Sequence, residues 1–527
     1  MKKILLIRPK SPETFWQLTG LLEIIKRKAV IPPLSLATVA ALTPSHYEVK
    51  ILDEEIDKID FDTECDIVGI TGYTLHSKRM FEISKEFKKR GVLTVGGGPY
   101  CSAHPDEAKL YFDVVIAGEA EFIWSKFLMD YEKGDFLDCY IEKDRVDLSF
   151  SPIPRWDLVP LEKYSGNMVQ TSRGCPYDCE FCDVVALFGR KMRHKSLEQI
   201  LKEIKFLVSI NRFEIFLADD NFIGNKKFVK ELLKELIALN NSLKKPIRYI
   251  TQVTLNVAED EELLDLFKEA NFYCLFIGIE TPKKDSLIAT NKGHNAKLDM
   301  KESIRRIQSR GIFIISGMIV GFDNDDEDIF ALQRDFLIDS GLTIPMLGML
   351  IAPRGTKLWD RLSKEGRLYP EFEAGDMFAV TNFEPSFMSK GDLEKNYVKL
   401  LKEIFSPQHF AKSFKSLIDQ VNLNEVKKNS PLSRQLDIRY FRFYYLGVSF
   451  RIFKHYLFSS NKEKRKLLFS LLKIAFKKGI ICIPWAIELL LYFKAENDFV
   501  TQHNIDTPYS NDKSPKKELV VNSLNIK

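Results

Sequence analysis

The sequence predicts an α/β chain in three parts: a doubly wound, flavodoxin-like (Rossmann-type) domain, a partial (β/α)6 barrel, and a mainly helical C-terminal domain. Three observations predict it. Short apolar runs alternate with helical patterns over about residues 1–140. The alternation resumes over 165–360 after a Pro-rich link, and from about 390 the pattern is helical and rich in aromatics. At 527 residues the chain exceeds one ordinary core. The expected division is 1–145, a linker at 146–164, a barrel at 165–390, a helical domain at 391–500, and a polar tail at 501–527 that lacks periodicity and is expected to be disordered.

In the first part the strands are Lys3 to Arg8, Tyr47 to Leu52, Ile67 to Gly72, Leu93 to Gly97 and Val114 to Ala117, a five-stranded count. The helices His76 to Arg90 and Ala120 to Glu132 are closed by Gly91 and Gly134. In such sheets ligands sit at the carboxyl ends of the strands. Gly72, Gly97, Gly98 and Pro99, and Gly118 with Glu119 fall there, although tight turns alone would also explain the glycines.

In the second part the strands are Met168 to Ser172, Phe213 to Ala218, Arg248 to Val253, Tyr273 to Ile279, Phe313 to Val320 and Pro345 to Ile351. Ser196 and Gln199 form a capping box, and the helices Asp260 to Ala270 and Asp326 to Ser340 start acidic. Chemistry on such a barrel belongs at the C-terminal strand ends.

Lys and Arg number 77 against 73 Asp and Glu, so the net charge of +4 gives no argument for nucleic acid, and none is expected as a partner. Arg8 and Lys10 interrupt the first apolar run before it makes a signal peptide, and Glu488 breaks the longest late one. A cytoplasmic protein is expected. Local clustering is a separate matter. Arg434 to Lys478 holds twelve Lys or Arg against Asp437 and Glu463, with Phe and Tyr interleaved. That segment is expected to touch an anionic membrane surface or a lipid from the cytoplasmic side, with a solvated helical face as the alternative.

Three of the eight cysteines crowd into eight residues directly after the first barrel strand: Cys175, Cys179 and Cys182, spaced C-x3-C-x2-C. Iron–sulfur clusters are held by thiolates. A loop giving three leaves one iron of a cubane without a protein ligand, and there the amino and carboxylate groups of S-adenosylmethionine can chelate. One electron then breaks the sulfonium bond and leaves a 5′-deoxyadenosyl radical, chemistry that side chains cannot perform. A structural zinc site needs four closed ligands, typically in two pairs, and no second C-x2-C occurs.

This triplet, with Ser172-Arg-Gly174 before it and Phe181 at the aromatic position, resembles the radical S-adenosylmethionine superfamily. Further matches are Phe216 to Phe222, Phe276 to Thr281, Gly317-Met-Ile-Val-Gly321 and Ala352 to Thr356. Pro32-Pro33-Leu34, Gly97-Gly98-Pro99 and Gly118-Glu119 resemble the cobalamin-binding branch, and within it the group like hopanoid C-2 methyltransferases, which carries an extra C-terminal domain. The resemblance implies a [4Fe–4S] cluster on the three cysteines, S-adenosylmethionine, cobalamin, and an electron donor of the flavodoxin or ferredoxin type. It places Asp219, Asp220 and Asn221 at the S-adenosylmethionine pocket, Glu280 at the ribose, and Gly317 to Gly321 beside the adenine. Asp219 and Asp220 could instead cap a helix, and Gly317 and Gly321 could relieve barrel crowding. No D-x-H-x-x-G follows the first strand, so no histidine is expected on cobalt, and His76 and His104 are expected at the surface. Arg354 stands where relatives often have proline.

The leading expectation is a cobalamin-dependent C-methyltransferase acting on an unactivated carbon of a lipid or other small molecule. A rearranging or cyclising enzyme of the same superfamily is the alternative. A methylthiotransferase would need Cys65, Cys101 and Cys139 on a second cluster and a C-terminal β-barrel, and an iron–sulfur scaffold would have no use for a six-strand barrel.

Overall fold

The structure, a computed structural model, describes residues 1–12, 14, 17–369, 381–427 and 444–502. Almost all of the expected tail, and residues 434–443 of the basic segment, lie outside the described residues.

β1 (Lys3–Arg8), β2 (Glu48–Asp53), β3 (Ile67–Thr71), β4 (Leu93–Gly97), β5 (Val114–Ala117) and β6 (Cys139–Ile141) form one parallel sheet in the order β2-β1-β3-β4-β5-β6. Ile4 to Ile7 are buried on both faces, as strands sandwiched between helices must be. Strand order reverses between β1 and β3, which places a crevice at the carboxyl edge. β6 is one strand more than the pattern predicts: three residues are too few for a period-2 signal, and tertiary pairing with β5 makes it a strand.

A second parallel sheet runs in sequence order. It contains β7 (Asn167–Val169), β10 (Glu214–Leu217), β11 (Arg248–Val253), β12 (Phe272–Glu280), β13 (Phe313–Val320) and β14 (Ile344–Met349), with β7 and β14 at its edges. β8 (Ser172–Arg173) and β9 (Arg193–His194) stand outside it as a short antiparallel pair. The expected single strand Met168 to Ser172 is therefore cut in two. The cause is Asp219, whose Oδ1 accepts from the backbone N–H of Thr171 (2.7 Å) and Ser172 (2.9 Å) and so replaces the sheet ladder at the bend. The capping box is present, with Gln199 N donating to Ser196 Oγ at 3.1 Å and Ser196 N to Gln199 Oε1 at 2.9 Å.

Alternation along β12 and β13 divides two cores. Leu275, Ile277, Ile279, Ile314, Met318 and Val320 face the barrel's own helices. Cys274, Phe313 and Ile315, with Ile344 of β14, point the other way, onto C-terminal helices that include Pro407–Gln420, Lys462–Lys478 and Ile483–Gln502. The helix Ile483–Gln502 thus packs against the N-terminal half of the barrel's inner face, where Arg248 donates to Glu488 at 2.9 Å. Leu18 to Ile25, within the expected 1–145 unit, pack in this C-terminal core instead; a Cβ on Gly20 would lie 3.0 Å from Ala495 Cα.

A buried ionic cluster joins the carboxyl edge of the first sheet to the β8–β9 pair beside the second. Arg173 donates to Glu119 (2.9 Å) and Glu121 (2.7 Å), and Arg193 donates to Glu119 (2.7 Å) and to the Val146 carbonyl (2.6 Å). Val146 N donates back to Glu119 at 2.9 Å. The linker is likewise packed down, with Trp156 and Tyr164 buried and the Tyr164 hydroxyl donating to Asp53 at 2.6 Å.

Phe493, fully buried against Phe410 at 4.7 Å between ring centroids, is expected to cost about 3–5 kcal/mol when cut to alanine, read as lost amide-exchange protection across the C-terminal helices. Glu119→Ala leaves the Arg193 guanidinium without a carboxylate and Arg173 with Glu121 alone, a loss of about 3–5 kcal/mol, and should expose residues 146–164 to limited proteolysis. Burial raises the Glu119 pKa, but the hydrogen bonds from Arg193 and Arg173 outweigh it and hold it below the ordinary 4.5. The contribution of Glu119 is thus complete above that value and is lost as pH falls through the lower folded one. An acid titration of the same cleavage should show the loss, and a Glu119→Gln variant should not track it.

Candidate functional site

The cysteine loop leaves β8 at Gly174. There φ is +96°, and a Cβ would sit 2.8 Å from the Lys191 carbonyl oxygen, so only glycine fits. Gly174 N donates to Asp220 Oδ2 at 2.9 Å, and Cys175 N donates to the Gly189 carbonyl at 3.3 Å. Cys182 N donates to the Cys179 carbonyl at 3.2 Å, closing a turn between two of the thiols. The far side is strapped to the top of the barrel. Glu180 N donates to Thr290, Leu358 N donates to Glu180, and Arg361 pairs with the Glu180 carboxylate. The Tyr177 ring stacks on His294 at 3.7 Å, and Asn256 donates to its hydroxyl at 2.9 Å. Phe181 lies edge-on to Phe322 at 5.9 Å.

The three thiols are half-buried. Burial pushes Cys182 up to about 12 and raises Cys175 and Cys179 as well. Left to themselves they hold their protons, and a bound centre of positive charge is what converts such thiols to thiolate ligands. Among the described residues no three His, Cys, Asp or Glu side chains are grouped to hold a single metal ion. Asn221 Nδ2 points at Cys175 Sγ from 3.9 Å, and its Oδ1 is buried with no hydrogen-bond partner. An orphaned acceptor beside a ligand-spaced thiol fits a site that takes a polar group.

The other acids differ in what they do. Asp219 is spent entirely on the Thr171 and Ser172 bend, where the Thr171 hydroxyl also donates to it. Asp220 anchors Gly174, and burial lifts its pKa to about 6. Glu280 ends β12 in a left-handed conformation, φ +67°, which turns its carboxylate onto Lys292. Burial works against the Lys292 charge, but the Glu280 carboxylate, joined by Cys179 and Cys182 when they are thiolates, outweighs it and raises its pKa. The ammonium also sits 5.9 Å over the Phe181 ring.

Lys292 is absent from the sequence reading. It sits in a short polar loop, and only the fold carries it to the cysteines. Gly278 and Gly348 were also missed. With Gly317 they fall on the same face of β12, β13 and β14 as Cys274, Ile315 and Ile344, further toward the carboxyl ends. A Cβ at Gly348 would meet nothing within 4 Å, and one at Gly278 would strike Glu280 and Lys292. Gly321 serves packing: φ is +99°, and a Cβ would lie 2.8 Å from Leu393.

The first sheet presents its carboxyl edge to this loop. Gly98, at φ +84°, starts the helix Gly98–Ala103; any Cβ there would overlap Thr71 Oγ1, and Pro99 follows at the first turn. That helix packs on Val184–Phe188, the helix directly after Cys182. Gly72 is hemmed in by His76 and Met80, and Gly118 by Glu142, whereas Gly97 has room. Glu119 does not face a ligand. Its carboxylate is taken up by Arg173, Arg193 and Val146. Tyr73, which follows Gly72 just past the carboxyl end of β3, is 59% exposed.

His76 and His104 are not at the surface. His76 is 6% exposed; its Nδ1 accepts from Tyr73 N at 3.0 Å, its Nε2 bonds Ser11 Oγ at 3.0 Å, and burial pulls its pKa down to about 4. His104 is buried against Tyr100. Arg354 reaches Glu107 of the first domain at 3.8 Å and lies over Trp359.

Comparison with known proteins gives three matches along the chain. Residues 21–124 match the B12 binding domain, 169–336 the radical SAM superfamily, and 356–480 a domain of unknown function. An uncharacterised methyltransferase of Synechocystis sp. is 36% identical over 414 residues, 77% of each chain. The hopanoid C-2 methylase of Rhodopseudomonas palustris is 34% identical over 347 residues, 64% of this chain and 66% of that one. In fold the chain is similar to the cobalamin-dependent S-adenosylmethionine radical enzyme OxsB, solved with aqua-cobalamin and S-adenosylmethionine bound. The TM-score is 0.60 at 17% identity, over 95% of this chain and 80% of that one. The chain therefore belongs to the radical SAM superfamily, in its cobalamin-binding branch with an additional C-terminal domain, and is an enzyme whose cofactors are a [4Fe–4S] cluster, S-adenosylmethionine and cobalamin.

Proposed function

We propose that the chain is a cobalamin-dependent C-methyltransferase acting on an unactivated carbon of a lipid-like small molecule. The observation that carries this reading is the meeting of the first sheet's carboxyl edge with the cysteine loop of the second, where the helix Gly98–Ala103 packs on Val184–Phe188, the helix directly after Cys182. A corrin on the one and a cluster on the other would meet there. The hopanoid in the name of the Rhodopseudomonas relative is the reason to look first among lipids.

In this reading Cys175, Cys179 and Cys182 hold three irons and leave the fourth open, with Phe181 packed behind the loop. Asn221 and Asp220 border that open position. Glu280 and Lys292 offer a paired anion and cation to the polar groups of S-adenosylmethionine, while Gly348, with open space beside it, leaves room for its flat ring next to Gly278 and Gly317. At the sheet edge Gly97, which has room beside it, lets the corrin approach backbone, while Gly72, Gly98, Pro99 and Gly118 shape the turns around it. Loaded with these groups, the centre supplies a 5′-deoxyadenosyl radical and a transferable methyl group. An electron donor of the flavodoxin or ferredoxin type and peripheral contact with a membrane complete the reading.

After anaerobic reconstitution, Cys175→Ala, Cys179→Ala or Cys182→Ala should each abolish 5′-deoxyadenosine formation, whereas Cys65→Ala and Cys139→Ala, which remove thiols packed in the first domain, should not. With lipid extract as substrate, 5′-deoxyadenosine and S-adenosylhomocysteine should appear in matching amounts. The first without the second would mean rearrangement or cyclisation. A buried cation stabilises the more negative, reduced cluster, so Lys292→Ala should move the midpoint potential downward in an electron paramagnetic resonance titration, and Lys292→Arg should restore it.

A further inference from the structure

The helix Lys462–Lys478 is amphipathic in an unusual way. Its inner face, Leu467, Leu468, Leu471 and Ala475, is fully buried against neighbouring helices. Its outer face carries Lys462, Lys466, Phe469, Lys473, Phe476 and Lys477, and Ile480 follows just past the end. These positions recur every three or four residues and so form one stripe, about 27 Å long at 1.5 Å per residue. Phe469 is 58% exposed, Phe476 65% and Ile480 74%. The preceding helix, Tyr444–Leu457, also leaves Leu446, Phe450 and Leu457 open, with Phe458 beyond its end.

Single exposed apolar residues mean little, but a run of them does. The charge is one-sided as well. Glu463 is the only acid in the helix, and it is paired with Lys466 at 2.9 Å. The bases that turn inward have partners: Lys464 pairs with Asp498 at 3.1 Å, and Lys478 donates to the Asp419 carbonyl at 3.2 Å. Lys462, Lys473 and Lys477, on the stripe, have no ion-pair partner among the described residues.

We propose that this stripe docks the protein on an anionic lipid bilayer, with Phe469, Phe476 and Ile480 inserted below the headgroups and the lysines at the phosphates. Lysine is depleted where proteins meet proteins, whereas long lysine stems that carry charge to a headgroup layer beside inserted phenylalanine are the pattern of interfacial helices. No described helix is long and apolar enough to cross a membrane, so the contact is peripheral. The proposal deepens the membrane part of the functional reading and rests on that part alone, since none of these residues belongs to the cofactor site.

The test is flotation of the full-length, reconstituted protein with vesicles of phosphatidylcholine alone or of phosphatidylcholine with phosphatidylglycerol. Binding is expected only to the second kind, and it should fall at high salt. Each base near such a surface contributes about 1 kcal/mol, about fivefold in partition. Lys473→Glu with Lys477→Glu should therefore weaken binding at least about 25-fold, and Phe469→Ser with Phe476→Ser should weaken it without changing the salt response. Both variants should keep wild-type 5′-deoxyadenosine formation. Absence of wild-type flotation, or unchanged flotation of the glutamate variant, overturns docking and leaves the catalytic reading standing. So does a wild-type dimer in sedimentation that the serine variant converts to monomer, because a second copy would then cover the stripe.

Discussion

The relation between the two sheets depends on four buried charges. Glu119 and Glu121 come from the carboxyl edge of the first sheet, and Arg173 and Arg193 from the short strand pair that flanks the cysteine loop. Burying each ion costs several kcal/mol, which is recovered only when every ion is paired in good geometry. Here each carboxylate meets a guanidinium, and Glu119 also receives the Val146 amide. Cys175 is two residues from Arg173. Whatever the first sheet binds is thereby held at a fixed distance from whatever the cysteines bind.

Within the barrel, the inner face is divided by side-chain size. Cys274, Phe313, Ile315 and Ile344 fill the lower part against C-terminal helices, while further up the same strands Gly348 leaves open space and Gly278 makes room for Glu280 and Lys292. The additional C-terminal domain is therefore integral to the barrel rather than appended to it. Its helix Ile483–Gln502 supplies an inner core that the six open-walled strands lack on their own, and Thr19–Ile25 locks that helix from outside.

Charge is arranged around the thiols with similar economy. Asp219 bends the chain, Asp220 ties the loop, and Glu280 with Lys292 places a paired anion and cation beside Cys179 and Cys182. Only the last pair is free of backbone duty at the carboxylate and ammonium, and that separates ligand-facing groups from structural ones among residues that look alike in sequence.

Local patterns in the chain determined the two parallel sheets, the capping box at Ser196, the left-handed glycines and the cysteine spacing, because period-2 alternation, helix capping and backbone sterics act over a few residues. β6 escaped detection because three residues carry no period. Arg173 and Glu119 lie 54 residues apart, and neither looks unusual beside its neighbours. Nor could sequence say that Glu119 faces inward, that His76 is buried, that Asp219 serves the backbone, or that Lys292 reaches the thiols. Those assignments belong to the tertiary structure, because the free energy of a buried charge depends on what the fold brings within hydrogen-bond reach of it, and that partner is set by how distant strands and loops cross.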